Sequence, residues 1–321
     1  MALTLQHHTP AFRQAAFRLD DPDEFSVAVS GGSLRADFLA APVRPTLIEQ
    51  FQSPCWAIDF HEAHVRARIF GGLPPGWASL GIMCSPTPST WYGLEAASGT
   101  MVCTPPGEPI DGCTTIGFLC FSVGLSPRLW EHCRQVASPE AAAFGGVAAH
   151  HFTSSTFAHL TQQIMTLRGR LRRAQQELAL AANVADEACR LVTWLGITAW
   201  ESRTTAPPPR DTLRNRARLA RSAETLMRHQ LGESLQIPDL CAALRVSRRE
   251  LEYAFRSTFD QSPRDFLHAL RLNAIRRELH VSDAPIIDIA FQHGMSHLGR
   301  FAASYRHLFG EKPSRTVRWV R

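Results

Sequence analysis

The sequence predicts two domains: a β-rich N-terminal part that ends in helices, and an all-α C-terminal part of two similar helix-turn-helix units joined by a helix. Three observations predict this. Residues 210–321 hold 20 Lys and Arg against 12 Asp and Glu, whereas residues 1–209 hold 14 against 17. Pro207-Pro208-Pro209 cannot continue a helix and stands where the charge balance changes sign. The basic part also repeats itself. Ile237-Pro-Asp-Leu-Cys-Ala242 matches Ile286-Ile-Asp-Ile-Ala-Phe291 at an offset of 49. After one inserted residue, Leu251, Phe255, Arg256, Phe259 and Pro263 match Phe301, Tyr305, Arg306, Phe309 and Pro313 at 50.

The chain has 321 residues, 45% apolar and 20% charged, an ordinary globular balance with room for two cores. No apolar run reaches the roughly 20 residues of a spanning helix, so no membrane partner is expected. The stretch Met1 to Arg18 has no signal-peptide pattern, which points to the cytoplasm. None of the eight cysteines form a CxxC pair, so reduced thiols are expected rather than a metal or redox centre, and no cofactor is expected.

In chain order, residues 20–125 alternate Val, Ile, Phe and Thr runs with turn signals such as Gly71-Gly72, Pro74-Pro75-Gly76 and Asp111-Gly112. Short strands at that spacing suggest a β-sandwich or barrel, with Arg66–Phe70 and Phe118–Val123 among them. Trp56, Phe60, Phe70, Trp77 and Trp91 form a candidate apolar pocket, although aromatics at strand spacing are more often core. His61-Glu62-Ala63-His64 resembles a metal pair, but on a strand its two histidines face opposite sides, and no metal is expected.

Residues 126–202 read as helical. Leu160, Ile164, Leu167, Leu171 and Leu178 belong to a two-position heptad seam, and Arg168, Arg170, Arg172 and Arg173 fall off it. Such a seam packs on its own β domain or pairs with a second copy. A second helix from Val184 to Trp200 folds back on the first. Residues 203–212 then form a proline-rich linker.

From 213 onward the chain reads as short helices. Arg216–Gln230 is amphipathic. The first unit, about 238–259, has a helix Pro238–Leu244, a turn at Arg245-Val246 and a second helix capped by Ser247. The second unit, about 286–309, has Ile286–Gln292, a turn at His293-Gly294 and a helix capped by Ser296. Between them Pro263 to about His280 forms one helix of about 27 Å. That length suits two recognition helices about one DNA turn, roughly 34 Å, apart. The positive surplus of this third is the footprint of a polyanion-binding module.

Ile286-Ile-Asp-Ile-Ala-Phe-Gln-His-Gly294, with Phe301, Arg306, Phe309-Gly310 and Lys312-Pro313, resembles the second-unit signature of the AraC family of bacterial transcription regulators. The resemblance spans about residues 214–320. Met295, Gly299 and Ala303 depart from the family's usual residues. The resemblance implies a barrel- or jelly-roll-like N-terminal sensor, dimerisation helices and two DNA-binding units. It places Arg249, Glu252 and Tyr253 of the first recognition helix, and Gly299, Arg300 and Ala303 of the second, toward bases. Side-chain chemistry suits Arg249 and Arg300 to guanine and Glu252 to cytosine. Arg248, Arg256, Arg306 and His307 suit phosphates, with Ser296 and His297 at the second helix start. The implied partners are double-stranded DNA, a second copy, a small-molecule effector and, for an activator, RNA polymerase. An enzyme fused to a helix-turn-helix domain is the main alternative, but no four-cysteine cluster or reactive-cysteine motif is present, so no enzyme is expected. A regulator gated by a protein partner is the other.

Overall fold

The computed structural model describes residues 12–27, 32–137, 146–174, 178–202, 211–232 and 235–316. The prolines of the expected linker lie outside them, and Asp211 already opens a helix.

The N-terminal part is a pair of antiparallel sheets. The larger runs in the order β1 (Arg13–Leu19), β3 (Thr46–Gln52), β4 (Trp56–Ala63), β11 (Phe118–Leu125), β6 (Ala78–Met83), β9 (Thr100–Thr104), β12 (Ala148–His151). The smaller runs β2 (Arg35–Phe38), β5 (Ala67–Gly71), β10 (Ile110–Cys113), β7 (Ser89–Trp91), β8 (Leu94–Ala96). Strands β1 and β12 fall outside the span expected to be β-rich. Both lie at sheet edges, where arginines, alanines and histidines replace the β-branched residues that mark a strand.

Three helices complete this part: α1 (Pro127–Val136), α2 (Ser154–Ala174) and α3 (Leu178–Glu201). They cover one face of the larger sheet, because Phe51, Ile58, Leu80, Phe121 and Val123 share a core with Leu160, Ile164, Leu167, Leu171 and Leu195. The heptad seam is therefore consumed inside the subunit. Leu160, Ile164, Leu167 and Leu171 are at most 4% exposed. Arg168 and Arg172, just off the seam, bind Glu49 of β3 at 2.6 and 2.5 Å. Of the two packings a seam allows, this is the intramolecular one, which corrects the dimerisation role expected for these residues. Leu178 opens α3, but its side chain lies outside the described residues.

The C-terminal part is α4 (Asp211–His229), α5 (Ile237–Leu244), α6 (Arg248–Phe259), α7 (Pro263–Val281), α8 (Ile286–Gln292) and α9 (Leu298–Phe309). Phe255, Phe259 and Phe266 centre the first unit's core with Met227, Leu240 and Leu251. Ile275 and Leu279 of α7 pack against Ile289, Met295, Phe301 and Tyr305 in the second. Helix α7 thus serves both cores, and its 19 residues span about 28 Å. The repeat extends to the backbone: Arg245 and Gly294 are left-handed at the inner turns, Asp260 and Gly310 after the outer helices. Ser247 caps α6 and forms a capping box with Glu250. In the second unit the inserted residue moves the cap position to His297, which makes no side-chain cap bond, so the expectation for Ser296 is corrected.

The two parts meet along a seam of buried ion pairs. Arg68 of β5, 4% exposed, forks onto Glu224 of α4 at 2.9–3.1 Å and reaches Asp111 at 2.8 Å. Asp37 of β2, fully buried, accepts from Arg228 of α4 at 2.6 Å and also from Arg277 of α7. Arg277 binds Asp23 of the 3-10 turn Pro22–Val27 at 2.7 Å, and Arg276 binds Asp21 just before that turn at 2.6 Å. The buried Asn273 amide donates to the Phe38 carbonyl at 2.9 Å and accepts from its N–H at 3.0 Å, closing the edge of β2. This seam alters the reading of charge. Arg221, Arg228, Arg276 and Arg277 belong to the C-terminal surplus, yet they are neutralised by Asp111, Asp37, Asp21 and Asp23 of the acidic N-terminal part.

Candidate nucleic-acid interface

On α6, Arg249, Glu252, Tyr253 and Arg256 lie at i, i+3, i+4 and i+7 and share one face. Arg248, Arg249, Tyr253 and Arg256 are exposed and Glu252 half-buried. The opposite face, Leu251, Phe255 and Phe259, is buried in the core, so the helix cannot rotate to hide its polar side. Arg249 sits over the Tyr253 ring at 5.5 Å and donates to its hydroxyl at 3.3 Å, and Arg216 of α4 approaches the same ring at 5.7 Å. Both cations are within cation–π range of the Tyr253 ring. Arg216 was not singled out in the sequence; it belongs to the preceding helix, and only the fold brings it to α6.

Helix α9 offers a different surface. Ser296, His297, Gly299, Arg300, Ala303, Arg306 and His307 are exposed, while Phe301, Tyr305 and Leu308 point inward. Gly299 and Ala303 leave the middle of this face smooth, so Arg300 is its one long side chain near the helix start. The inner turn that aims α9 is set by Gly294, at φ +74, where a Cβ would stand 3.1–3.3 Å from the Arg271 guanidinium. Gly294→Ala is expected to cost about 1–2 kcal/mol, from the left-handed backbone and the displaced Arg271. A thermal melt in which this variant matches the parent would show that the turn is not constrained.

A second candidate site lies between the two sheets, a cavity of about 170 Å³. Trp77 and Trp91 line it; Trp56, Phe60 and Phe70 do not. Alternation along β4 explains the split: Trp56, Ile58 and Phe60 face the helices, whereas Ala57, Asp59, His61 and Ala63 face the cavity. Phe70 lies at the seam, 4.1 Å beneath the Arg228 guanidinium. Trp91 can lie flat across β10 because residue 112 is glycine; a Cβ there would overlap its ring at 2.2 Å.

A strip of polar groups crosses three adjacent strands of the cavity wall. Gln50, Asp59 and Ser122 stand opposite one another on β3, β4 and β11. Ser122 Oγ lies 3.5 Å from Asp59 Oδ2 and 3.0 Å from His61 Nε2. Asp59 Oδ1 is buried without a hydrogen-bond partner. Burial pushes the Asp59 carboxyl up to about 7, against hydrogen bonds from Gln50 and Ser122, and holds His61 neutral down to about 4. His64 of the paired-histidine motif lies past the end of β4 and contacts Glu62 at 2.9 Å.

A family profile described as a helix-turn-helix domain matches residues 240–318. The XylDLEGF operon transcriptional activator of Pseudomonas putida is 34% identical over 91 residues, 27% of this chain and 28% of that protein. The HTH-type transcriptional regulator ArgR of Pseudomonas aeruginosa is 33% identical over 91 residues, 28% of each. The chain thus spans 28% of the length of these relatives. The crystal structure of a probable AraC family transcriptional regulator from Rhodopseudomonas palustris is 30% identical, covers 31% of this chain and 94% of that one, and has a TM-score of 0.30.

Proposed function

We propose that this chain, whose C-terminal third is the helix-turn-helix domain of an AraC family regulator, binds specific sequences in double-stranded DNA and controls transcription in response to a small molecule. The observation that carries the DNA-binding reading is the repeat itself: two recognition helices with exposed cationic faces, each backed by its own core and both mounted on α7. One subunit then presents two reading heads. Arg249 and Arg300 read bases, while Arg248, Arg256, Arg306 and His307 meet phosphates.

Binding to a random-sequence duplex pool and to the selected site tests this. Arg249→Ala and Arg300→Ala are each expected to cost about 1–3 kcal/mol on the selected site, roughly 5- to 150-fold, and to relax one base position. Arg256→Ala should instead weaken all duplexes alike and lower the slope of log affinity against log salt by about one. If both classes of variant bind as the parent does, these faces are not the interface.

Regulation follows from shared strands. Ile69 of β5 lines the cavity and its neighbour Arg68 binds Glu224 of α4. Ile110 of β10 lines the cavity and Asp111 binds Arg68 and Arg221. Phe25 lines it from the turn that carries Asp23 and follows Asp21. A ligand that shifts these walls shifts the seam on which α4 and α7 rest, and with it the two reading heads. Among the described residues no helix is long and apolar enough to cross a membrane. We place the protein in the cytoplasm, where its DNA is.

A further inference from the structure

We propose that the cavity between the sheets selects a small aromatic amine in its protonated form, with the ring against Trp77, which lies beside Gly124 two residues along β11 from Ser122, and the ammonium group on Asp59. This rests on reading that cavity as the effector site. Four observations converge on it. The first is size: a dry protein cavity of about 150 Å³ binds benzene, and 170 Å³ is of the same class, sized for a single ring and not for a fused ring system. The second is the wall, where Trp77, Trp91, Phe118, Met83, Ile69 and Ile110 supply flat or flexible apolar surface.

The third is charge. The described lining contains no lysine or arginine, so a carboxylate ligand would enter with nothing to neutralise it. The fourth is the carboxyl of Asp59, which keeps Oδ1 without a partner even though Gln50 and Ser122 flank it. An ammonium head supplies both the missing donors and the missing counter-charge. Gly81 stands opposite Ser122 on β6 and adds no side chain to this row, leaving space beside the polar strip.

The same carboxyl gives the site a pH dependence. The other titratable groups of the lining are His61, Cys120 and Tyr92, and burial keeps all three uncharged. Asp59 therefore titrates alone, near 7 when the site is empty. Below that pH the carboxyl is protonated, and binding an ammonium ion must release that proton to solvent. Affinity for an amine accordingly rises with pH up to about 7 and then levels off, by up to about tenfold per unit on the rising side.

Three probes with the same ring and tether separate the possibilities: 2-phenylethylamine, 2-phenylethanol and phenylacetate, each titrated calorimetrically into the full chain at about pH 8. The amine is expected to bind at least about tenfold tighter than the alcohol, and phenylacetate not at all. Asp59→Asn keeps the shape and removes the charge; it should fold with an unchanged or higher Tm and bring the amine to within about threefold of the alcohol. Gly81→Ile, whose Cβ meets only ordinary contacts at 3.4 Å or more, should fill the space and abolish binding of all three. Phenylacetate binding as tightly as the amine, or an amine preference that survives Asp59→Asn, would overturn the amine while leaving the cavity as the effector site. Failure of all three probes with the parent chain would overturn both.

Discussion

Replacing Leu167 and Leu171 together by glutamate is expected to unfold the N-terminal part of the chain, not to separate a dimer. Both leucines are at most 2% exposed, within a core that also holds Phe51, Ile58, Val123 and Leu195. Truncating one such leucine to alanine costs about 2–5 kcal/mol. Forcing two carboxylates into the same core costs more, since each must stay charged without a partner or take up a proton. Against a typical stability of about 5–15 kcal/mol, the double change removes most or all of the margin. The measurement is a circular-dichroism melt beside a sedimentation run. The loss of the cooperative transition of the β-rich part is expected, with aggregated or expanded material in the sedimentation profile. Met165 on the same helix is 52% exposed, and Met165→Glu should leave the melt as it was. A well-folded double variant that is only smaller in solution would place the seam between subunits after all.

What the sequence discloses and what it hides divide by the range of the interaction. The helix-turn-helix units are legible because their signals are local: Ser247 and Glu250 form their capping box three residues apart, and Gly294 marks its turn by itself. The inward and outward faces of α6 and α9 follow from spacing alone. The heptad seam is equally legible as a pattern, but a stripe of leucines says that a face is buried and not what covers it. Here Glu49, 119 residues before Arg168, decides the matter. The cavity is legible only in part for the same reason. Trp77 and Trp91 line it, but the period-2 alternation of β4 could not be phased without knowing where the strand begins, so Trp56 and Phe60 were grouped with the wrong face. Asp59 was not singled out, because one acidic residue in a strand carries no local mark of the cavity it faces. The ion-pair seam is the extreme case. Its partners across the two parts lie 110 to 255 residues apart, and its arginines are indistinguishable in sequence from those that face solvent.

That seam carries the other large effect. Asp37→Ala is expected to destabilise the contact between the sheets and the DNA-binding domain by about 3–5 kcal/mol, the usual consequence of removing one partner from a buried ion pair. Burial alone would raise the Asp37 pKa, but Arg228 and Arg277 together hold it below the ordinary range. A carboxyl lowered in the folded state contributes stability above its unfolded value of about 4, and that contribution disappears as the pH falls through the folded value. Removal of Asp37 should therefore resemble acid treatment of the parent. Arg228 of α4 and Arg277 of α7 lose the carboxylate they share, and each keeps one other acidic partner, Glu224 and Asp23. Scanning calorimetry should show the two parts melting apart, with the C-terminal transition moved to lower temperature. Adding Arg277→Met should cost less in Asp37→Ala than in the parent, because the Arg277–Asp37 pair is already gone and only the bond to Asp23 remains to be lost; an equal cost in both backgrounds would mean that the pair is not coupled. The functional readout is sharper than the thermal one. In the route proposed above, ligand binding between the sheets acts on DNA through Arg68, Asp111 and the Asp21–Asp23 segment, all of which require α4 and α7 to stay docked. In Asp37→Ala the ligand should still bind, and the affinity for DNA should no longer respond to it. A variant that melts like the parent and keeps a ligand-dependent DNA affinity would show that the connection between cavity and reading heads runs elsewhere.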